Sequence, residues 1–347
     1  MTTDRTVRRG GGARLQVGLV GAGMISYYHL VAWSQQEHAQ VVAVCDPQIE
    51  RARQRAAEFG IPAAYDRIEA MLDHHAVDAV DIASPRETHA RLVTIAAERG
   101  IDAMCQKPLT PTLAEGEALA ARVGGASRLM VHENWRFRPW YRTLARWLVA
   151  GDLGPVSYAT MSMLSSGLVR DASGQFPDLV RQPFMAHEKR LMIAEVLIHH
   201  LDVVRWLLGP LRVVAARTAH TVPEVEGETL ATIFLETAQG APVIVGGTLA
   251  APGLDARTGD RFEAVGERAS ALLSGDELQL LGPAPRQERF VFERDYQASF
   301  DGAIRHFVDC LASGTVFETD VLDNLETLRL VEQAYAAAEA SERSGSR

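Results

Sequence analysis

The feature that most constrains this chain lies between Leu15 and Asp46. A short apolar run, residues 15–20, is followed at once by the sequence Gly-Ala-Gly-Met-Ile-Ser. A helical stretch comes next, and a second apolar run, residues 41–45, stops at Asp46, 23 positions after Gly23. A strand, a glycine turn, a helix and an acid at the next strand end predict a dinucleotide-binding βαβ unit.

Each position in this unit has a physical task. Gly21 allows a sharp turn out of the strand, and Gly23 has no side chain to keep backbone amides away from a pyrophosphate. The helix N-terminus at Met24 and Ile25 supplies N–H donors and a partial positive charge for that anion. Asp46 can accept hydrogen bonds from both ribose hydroxyls and would repel a 2′-phosphate. We therefore expect NAD as the cofactor, with NADP less favoured.

The glycine fingerprint departs from its usual form at one position. Ser26 stands where a third glycine is expected, and a serine is still small enough for close packing of helix on strand. The alternative interpretation is a tight turn in an α/β protein that binds no nucleotide there.

Composition limits the other possibilities. The 347 residues exceed one ordinary core and suit two domains. A net charge of −9 argues against nucleic acid as a partner. No apolar run is long enough for a membrane span, and residues 1–14 lack a signal core, so we interpret them as a disordered leader and expect a cytoplasmic protein. The three cysteines are scattered, so we expect neither a disulfide framework nor a metal site.

Strand and helix patterns alternate through residues 15–134. This alternation predicts a doubly wound parallel sheet, and ligands bind beyond the carboxyl ends of such strands. The predicted strand ends are Gly21, Asp46, Ser84, Gln106 and His132.

The pattern changes over residues 135–347. Strand-like runs follow one another with few helices between them, which predicts a second α/β domain with a large, open and mainly antiparallel sheet. The runs are 156–164, 211–218, 230–236, 242–249, 262–265, 271–272, 278–281 and 289–292. Helices are predicted near 193–208, 300–311 and 321–338.

Several segments together resemble one family, that of glucose-fructose oxidoreductase, inositol dehydrogenase and the rhizopine-catabolism protein (Gfo/Idh/MocA). They are the glycine turn leading to His29, Ser84-Pro85 leading to His89, Cys105-Gln106-Lys107-Pro108, Asn134-Trp135-Arg136-Phe137-Arg138-Pro139, and Glu195 to His199 followed by Asp202 and Arg205-Trp206. The resemblance covers residues 15–335. The Gln-Lys-Pro variant with His-Glu-Asn-Trp-Arg-Phe is most similar to the D-apiose dehydrogenase branch.

The resemblance implies an N-terminal Rossmann domain and a C-terminal domain whose open sheet commonly forms the dimer or tetramer face. It implies oxidation or reduction of sugars, cyclitols and related polyols with NAD(P). Two positions depart from the family pattern: Gln106 replaces the acid of Glu-Lys-Pro, and Glu195 replaces the aspartate of Asp-x-x-x-His.

Two side chains are candidates for proton transfer. Lys107 follows a strand end, where a lysine can hydrogen-bond the reacting oxygen, and the resemblance makes it the catalytic lysine. His199 can act as a general base near neutral pH. Glu195 and Asp202 are placed on the same helical face as His199, whereas His200 points toward an apolar stripe and is expected to be packed or capped. Glu195 is expected to bind a substrate hydroxyl, or alternatively to tune the histidine.

The remaining candidates have ordinary structural alternatives. Besides the glycine turn and Asp46, we assign to the cofactor Ser84, Pro85, His89, Gln106, Lys107, Asn134 and Arg136. His89 is equally a packing residue at a helix start, and Arg136 is equally the partner of an acid. The residues expected at the substrate are Lys107, Trp135, Glu195 and His199. Trp135 would form an apolar wall against a sugar, and the alternative is that it is a core aromatic. Asp202 and Arg205 are equally a local ion pair.

These observations predict an NAD-dependent oxidoreductase that transfers hydride between NAD and a hydroxyl-bearing carbon of a sugar, such as a pentose like apiose, or of a polyol. The alternatives are redox-assisted glycoside cleavage or C3 sugar oxidation with a bound NAD, and a regulatory NAD-binding protein without turnover. We expect a homodimer or homotetramer formed through the C-terminal sheet.

Overall fold

The computed structural model describes residues 14–257 and 259–345. The chain forms two compact units. Of the described residues, the first comprises 14–110, 114–132 and 300–322, and the second comprises 111–113, 133–299 except 258, and 323–345. The leader predicted for residues 1–14 lies outside the described residues apart from Arg14.

The first unit contains a six-stranded parallel sheet in the order β3-β2-β1-β4-β5-β6. Its strands are β1 (Leu15–Val20), β2 (Ala39–Cys45), β3 (Ala63–Tyr65), β4 (Ala79–Ile82), β5 (Asp102–Gln106) and β6 (Leu129–His132). The predicted doubly wound sheet is therefore confirmed. The strand order reverses at β1, so the crevice beyond the carboxyl ends of β1 and β4 is where a ligand binds in such a sheet.

The helices that follow these strands are short and amphipathic or apolar. They are α1 (Met24–Ser34), α2 (Ile49–Phe59), α3 (Ile68–His74), α4 (His89–Glu98) and α5 (Leu113–Val123). Leu19, Leu30 and Val44 pack together in the core beneath α1 and α2. Burial of such side chains stabilises the unit by ~1.5–3 kcal/mol each.

A segment distant in sequence completes the first unit. Residues 300–322 return to the edge strand β6, where the backbone N–H of Val131 donates to the carbonyl of Thr319 at 2.8 Å. Phe300 stacks on Tyr28, with ring centroids 5.2 Å apart. The prediction that everything after residue 134 belongs to the second domain therefore differs from the structure, because long-range packing and not chain order decides membership.

The second unit contains an eight-stranded sheet in the order β14-β13-β12-β11-β7-β10-β9-β8. The strands are β7 (Val156–Leu164), β8 (Leu211–Ala219), β9 (Leu230–Thr237), β10 (Pro242–Thr248), β11 (Asp260–Gly266), β12 (Ser270–Ser274), β13 (Glu277–Leu281) and β14 (Arg286–Arg289). All neighbours are antiparallel except β7 and β10. The mainly antiparallel sheet is confirmed. The strand predicted at 289–292 lies at 286–289 instead, because the exposed edge strand is polar, whereas the apolar Phe290 and Val291 lead into α9, which begins at Phe292.

The remaining helices are α6 (Pro139–Val149), α7 (Pro177–Arg181), α8 (Ile198–Leu208), α9 (Phe292–Ser313) and α10 (Val321–Gly345). Short 3₁₀ segments occupy Arg86–Thr88, Asn134–Phe137 and Pro183–His187. The predicted helix at 193–208 is in fact two elements, a π-helical turn over Met192–Leu197 and then α8. Within the two described ranges, no helix combines the length and the apolar character that crossing a membrane requires.

Candidate active site

The glycine turn lies at the point where the strand order of the first unit reverses. Gly21 has φ +101°, and a Cβ built there would lie 2.4 Å from the carbonyl oxygen of Ala83, at the end of β4. Both the left-handed backbone and the close approach require glycine. The loops after β1 and β4 therefore touch, and Ser84 lies beside the glycine turn.

The space in front of the glycine turn fits an anion. A Cβ at Gly23 would meet no protein atom within 4 Å. Gly23 is also the N-cap of α1 and provides no side-chain cap, so no capping side chain occupies the N–H donors of the first turn, at Met24 and Ile25. A cavity of about 300 Å³ lies here and is lined by Gly23, Met24 and Arg51, among others. An open helix N-terminus beside a side-chain-free residue suits the pyrophosphate of a dinucleotide.

Asp46 is almost completely buried at the end of β2. Its Oδ2 accepts a hydrogen bond from the backbone N–H of Ala22 at 2.9 Å, and its Oδ1 accepts one from Gln48 at 2.8 Å. Each carboxylate oxygen keeps a second lone pair, so these bonds are compatible with the predicted contact to a ribose. The carboxylate also ties the glycine turn to the start of α2.

His89 connects two loops and has no exposed surface. Its Nε2 lies 2.9 Å from the carbonyl oxygen of Ser84, and its Nδ1 lies 2.9 Å from that of Pro108. Ser84 Oγ also pairs with Thr88 Oγ1 at 2.7 Å. The cofactor contact predicted for His89 is therefore corrected to the alternative packing role, because both ring nitrogens bind backbone carbonyls and link the loop after β4 to the loop after β5. Pro85, which follows Ser84, is exposed.

Gln106 and Lys107 follow directly along β5. Gln106 is buried, whereas Lys107 is partly exposed and precedes a cis peptide bond to Pro108. The Lys107 backbone N–H donates to Oε1 of Gln106 at 3.1 Å. Because the rest of the Gln106 amide faces the interior, this hydrogen bond fixes the backbone of Lys107 against buried side chains.

In the second unit, His199 lies on α8 and has two partners from the segment that follows β6. Its Nδ1 is hydrogen-bonded to Oε1 of Glu133, a carboxylate with no exposed surface. Its ring stacks on the indole of Trp135, with centroids 3.8 Å apart and planes inclined by 11°. The structure therefore brings together two residues predicted at the substrate, Trp135 and His199, and adds Glu133.

Glu195 lies on the π-helical turn, not on α8. A π turn has more residues per turn than an α-helix, so a spacing of four still places two side chains on nearly the same face. Nδ1 of the His199 ring is hydrogen-bonded to the carboxylate of Glu133, and both roles considered for Glu195 stay predictions.

Arg136 is a buried ion-pair residue. Its Nε and Nη2 donate to the two carboxylate oxygens of Asp202 at 2.5 and 2.7 Å, and Nη2 also reaches Asp323 at 2.5 Å. Burial raises the pKa of Asp202, but Arg136, Arg205 and the Thr327 hydroxyl outweigh it and hold that pKa below its usual value. The structure shows the alternative role of Arg136, pairing with an acid, and its contact with the cofactor stays a prediction.

Two further predictions concern neighbours of this pair. The ion pair between Asp202 and Arg205 is present at 3.5 Å, but Arg136 is the closer partner. Asn134 is buried and donates to Ser299 Oγ at 2.8 Å, which links this segment to α9, and its contact with the cofactor stays a prediction.

His200 is packed, as predicted, and is also hydrogen-bonded. Its Nε2 lies 2.9 Å from Oδ1 of Asp260, whose Oδ2 accepts from Arg138 at 2.5 Å. The Arg138 guanidinium lies 3.4 Å from the centroid of Trp135. Trp135 is thus held between Arg138 and His199, and the Asp260 carboxylate supports this stack from the sheet.

Sequence reasoning missed Glu133, Asp260 and Asp323 as partners of the predicted site residues. The signal available for Glu133 was its position one residue after the β6 strand end, where parallel sheets place ligand-binding groups. Asp260 and Asp323 are far along the chain from their partners and carry no local signal. Among the residues described, no group of three or more His, Cys, Asp or Glu side chains could hold a metal ion.

Comparison with known proteins agrees with this geometry. Residues 15–133 match the model of an oxidoreductase family with an NAD-binding Rossmann fold (GFO_IDH_MocA), and residues 141–272 match a C-terminal domain model of the same family. The chain therefore belongs to the Gfo/Idh/MocA family of oxidoreductases, and its first unit is an NAD-binding Rossmann domain.

Individual relatives cover nearly the whole chain. A D-apiose dehydrogenase from Paraburkholderia graminis is 34% identical over 97% of this chain and 89% of its own length. A second D-apiose dehydrogenase, from Rhizobium rhizogenes, is 30% identical over 93% and 95%. An oxidoreductase from Agrobacterium radiobacter, solved with NAD+, L-tartaric acid and magnesium, has a TM-score of 0.87 at 29% identity and covers 94% of this chain and 97% of its own.

Proposed function

We propose that this family member transfers hydride between NAD and a hydroxyl-bearing carbon of a sugar or polyol, with D-apiose and related pentoses as the first substrates to test. The similarity to two D-apiose dehydrogenases supports the substrate class. The observation that carries the reaction type is the buried pair of His199 and Glu133 on the second unit, combined with the open glycine turn on the first.

His199 is proposed as the proton acceptor. The Glu133 carboxylate can only accept a hydrogen bond, so Nδ1 of His199 carries the proton and Nε2 presents its lone pair. Trp135 stacks on one face of the ring and fixes its plane. As His199 takes up the hydroxyl proton, Glu133 stabilises the imidazolium that forms, as a carboxylate does for a catalytic histidine in other enzymes.

Lys107 is proposed to hydrogen-bond the oxygen of the reacting carbon. An ammonium group there stabilises the alkoxide character that develops as the proton leaves. NAD+, when bound, accepts the hydride, and the products are the carbonyl compound, NADH and the proton held by His199. Asp46 is proposed to favour NAD over NADP, because a 2′-phosphate would face its carboxylate.

The test is turnover with purified protein, NAD and a panel of pentoses, aldoses, inositols and glycosides, followed by the absorbance of reduced nicotinamide. Lys107→Ala and His199→Asn should each lower turnover ~100-fold or more, the contribution expected of a positioned acid–base group. His199→Asn should leave the Kd of NAD unchanged, because the residue belongs to the second unit. His200→Asn is the matched variant and should retain far more turnover than His199→Asn.

Two results would contradict this proposal. Near-wild-type turnover in His199→Asn together with its loss in His200→Asn would show that the wrong histidine was chosen. Cleavage of a glycoside with no net reduced cofactor would favour internal cycling of a bound NAD instead of a dehydrogenase.

The open face of the second sheet is proposed to join two or more copies of the chain. One row of side chains crosses seven strands on this face, and none of its members is buried. In strand order the row is Ala215, Phe234, Ile244, Thr160, Glu263, Leu272 and Gln279. Phe234 is 48% exposed, and apolar surface of this kind is characteristic of subunit interfaces.

Light scattering after size-exclusion chromatography tests this interface. The wild type should be a dimer or tetramer, and Phe234→Glu should lower the mass toward that of one chain. Val149→Glu changes a still more exposed apolar residue, at the last position of α6 and not on a strand, and should leave the mass unchanged. An unchanged mass in Phe234→Glu would place any interface elsewhere.

We also infer a cytoplasmic location, because all three cysteines are free thiols.

A further inference from the structure

A buried polar cluster lies directly behind Lys107 in the first unit. It brings together His29 and Trp33 from α1, Asp81 from β4, Gln106 from β5 and His132 from β6. His29, Asp81 and His132 have no exposed surface at all. Burial of three ionisable side chains in one place favours an arrangement of protons in which donors meet acceptors, although Nε2 of His132 and Oδ1 of Asp81 have no hydrogen-bond partner among the described residues.

The orientation of the Gln106 amide follows from its neighbour. The backbone N–H of Lys107 points at one terminal atom of Gln106 from 3.1 Å, and an N–H can only donate. That atom is therefore the carbonyl oxygen Oε1. The amide nitrogen Nε2 must then face inward, where it lies 2.8 Å from Nε2 of His29 and 3.1 Å from Nδ1 of His132.

This orientation determines the protonation of both histidines. The two N–H groups of Gln106 Nε2 require acceptors, so Nε2 of His29 and Nδ1 of His132 carry no proton. His29 then holds its proton on Nδ1, which donates to Oδ2 of Asp81 at 2.8 Å. The same oxygen accepts from the indole of Trp33 at 2.7 Å. Both imidazoles are neutral, and the carboxylate is Asp81.

The other ionisable groups around the cluster agree with this arrangement. Burial, and then proximity to His29, lowers the pKa of His132 well below its usual value. Burial, and then the charge of Asp81, raises the pKa of the Cys105 thiol well above its usual value. Phe300, from the returning segment, closes the cluster against His29 and His132 with an uncharged ring. The charges facing Gln106 are thus Asp81, beyond His29, and Lys107 at the strand end.

We propose that Gln106 is a positioning residue, which holds His29 and His132 as neutral imidazoles of opposite tautomer and so keeps the Lys107 peptide in one orientation throughout the neutral pH range. The amide nitrogen of Gln106 donates to both imidazoles, and the amide oxygen accepts from the backbone N–H of Lys107. A glutamate at position 106 can only accept from both sides, so it needs at least one additional proton in the cluster. The consequence for catalysis, but not for the cluster itself, rests on the role proposed for Lys107.

The pH dependence of unfolding tests this assignment, with Gln106→Glu compared to Gln106→Met. Folded Gln106→Glu holds one proton more than the folded wild type, on His29 or on the new carboxyl, whereas the two unfolded chains bind the same number of protons above the unfolded glutamate pKa of about 4.3. Stability that depends on a proton bound in the folded state is lost as pH rises. Relative to the wild type, the unfolding constant of Gln106→Glu should therefore rise about tenfold per pH unit above that pKa.

Gln106→Met is the matched control. It removes the same hydrogen bonds without adding a charge, so its unfolding constant should exceed that of the wild type by a factor that does not change with pH. Parallel pH profiles for Gln106→Glu and Gln106→Met would overturn the proposal.

A second measurement needs no variant to fold. Nitrogen-15 spectra of the wild-type histidines at pH 7 should show His29 protonated on Nδ1 and His132 on Nε2, each neutral. An imidazolium at either residue, or the same tautomer at both, would refute the assignment. Near-wild-type turnover in Lys107→Ala would instead refute the proposed function, and it would leave the histidine spectra and stability profiles to decide the role of Gln106.

Discussion

Glu133→Gln tests the pairing that the structure adds to the site. His199 and Glu133 are both buried, so their attraction is not screened by solvent. The substitution keeps the size of the side chain but removes the charge that stabilises the imidazolium. A hydrogen bond to a charged group contributes ~1.5–3 kcal/mol. At 1.36 kcal/mol per decade, this loss lowers turnover by ~10–150-fold.

The assay is steady-state turnover with the substrate identified from the panel, with the Kd of NAD and the Tm measured in parallel. Both of these should stay near wild-type values, because Glu133 belongs to the second unit and its replacement is nearly isosteric. If Glu133 acts through His199, adding Glu133→Gln to His199→Asn should cost little further turnover. Turnover within twofold of wild type in Glu133→Gln, or multiplicative losses in the double variant, would refute the reasoning.

Three further substitutions test separate parts of the account. Asp46→Ser should narrow the preference for NAD over NADP by removing charge repulsion, and a wild-type Kd lower for NADP than for NAD would contradict this. Glu195→Gln should raise KM with little change in the pH profile of turnover if this carboxylate binds a substrate hydroxyl. A shifted acidic limb with KM intact would show that it tunes a proton-transfer group. Arg136→Met should lower the free energy of unfolding in urea by ~3–5 kcal/mol, because Asp202 remains buried with its main partner removed. A loss under ~1 kcal/mol would show that Arg205 alone compensates this charge.

The Rossmann half was predictable because its signals are local. A glycine at positive φ, an apolar run and an acid at the next strand end are properties of neighbouring residues, and the structure has all three between β1 and Asp46. Two strands lack such a local signal. The three-residue strand β3 is too short to show an alternation of apolar and polar residues, and β14 is an exposed polar edge strand without an apolar face.

The partners of the site residues were not predictable in the same way. Glu133 and His199 are 66 positions apart, as are Arg136 and Asp202. The separation is the same for both pairs because α8 packs along the segment after β6. This packing forms only when the chain folds, so the sequence near either residue does not indicate it. Sequence could name His199 as a candidate base, but only the packing shows which carboxylate orients it and which arginine is already paired.

Spacing along the chain was enough to predict the order of elements, the nucleotide-binding turn and the chemical types of the candidate catalytic groups. Three other features depend on tertiary packing. Packing places residues 300–322 in the first unit, pairs His199 with Glu133, and buries Arg136 in an ion pair. Each of these depends on which distant surface a side chain meets, and the energy of that contact does not exist until the chain has folded.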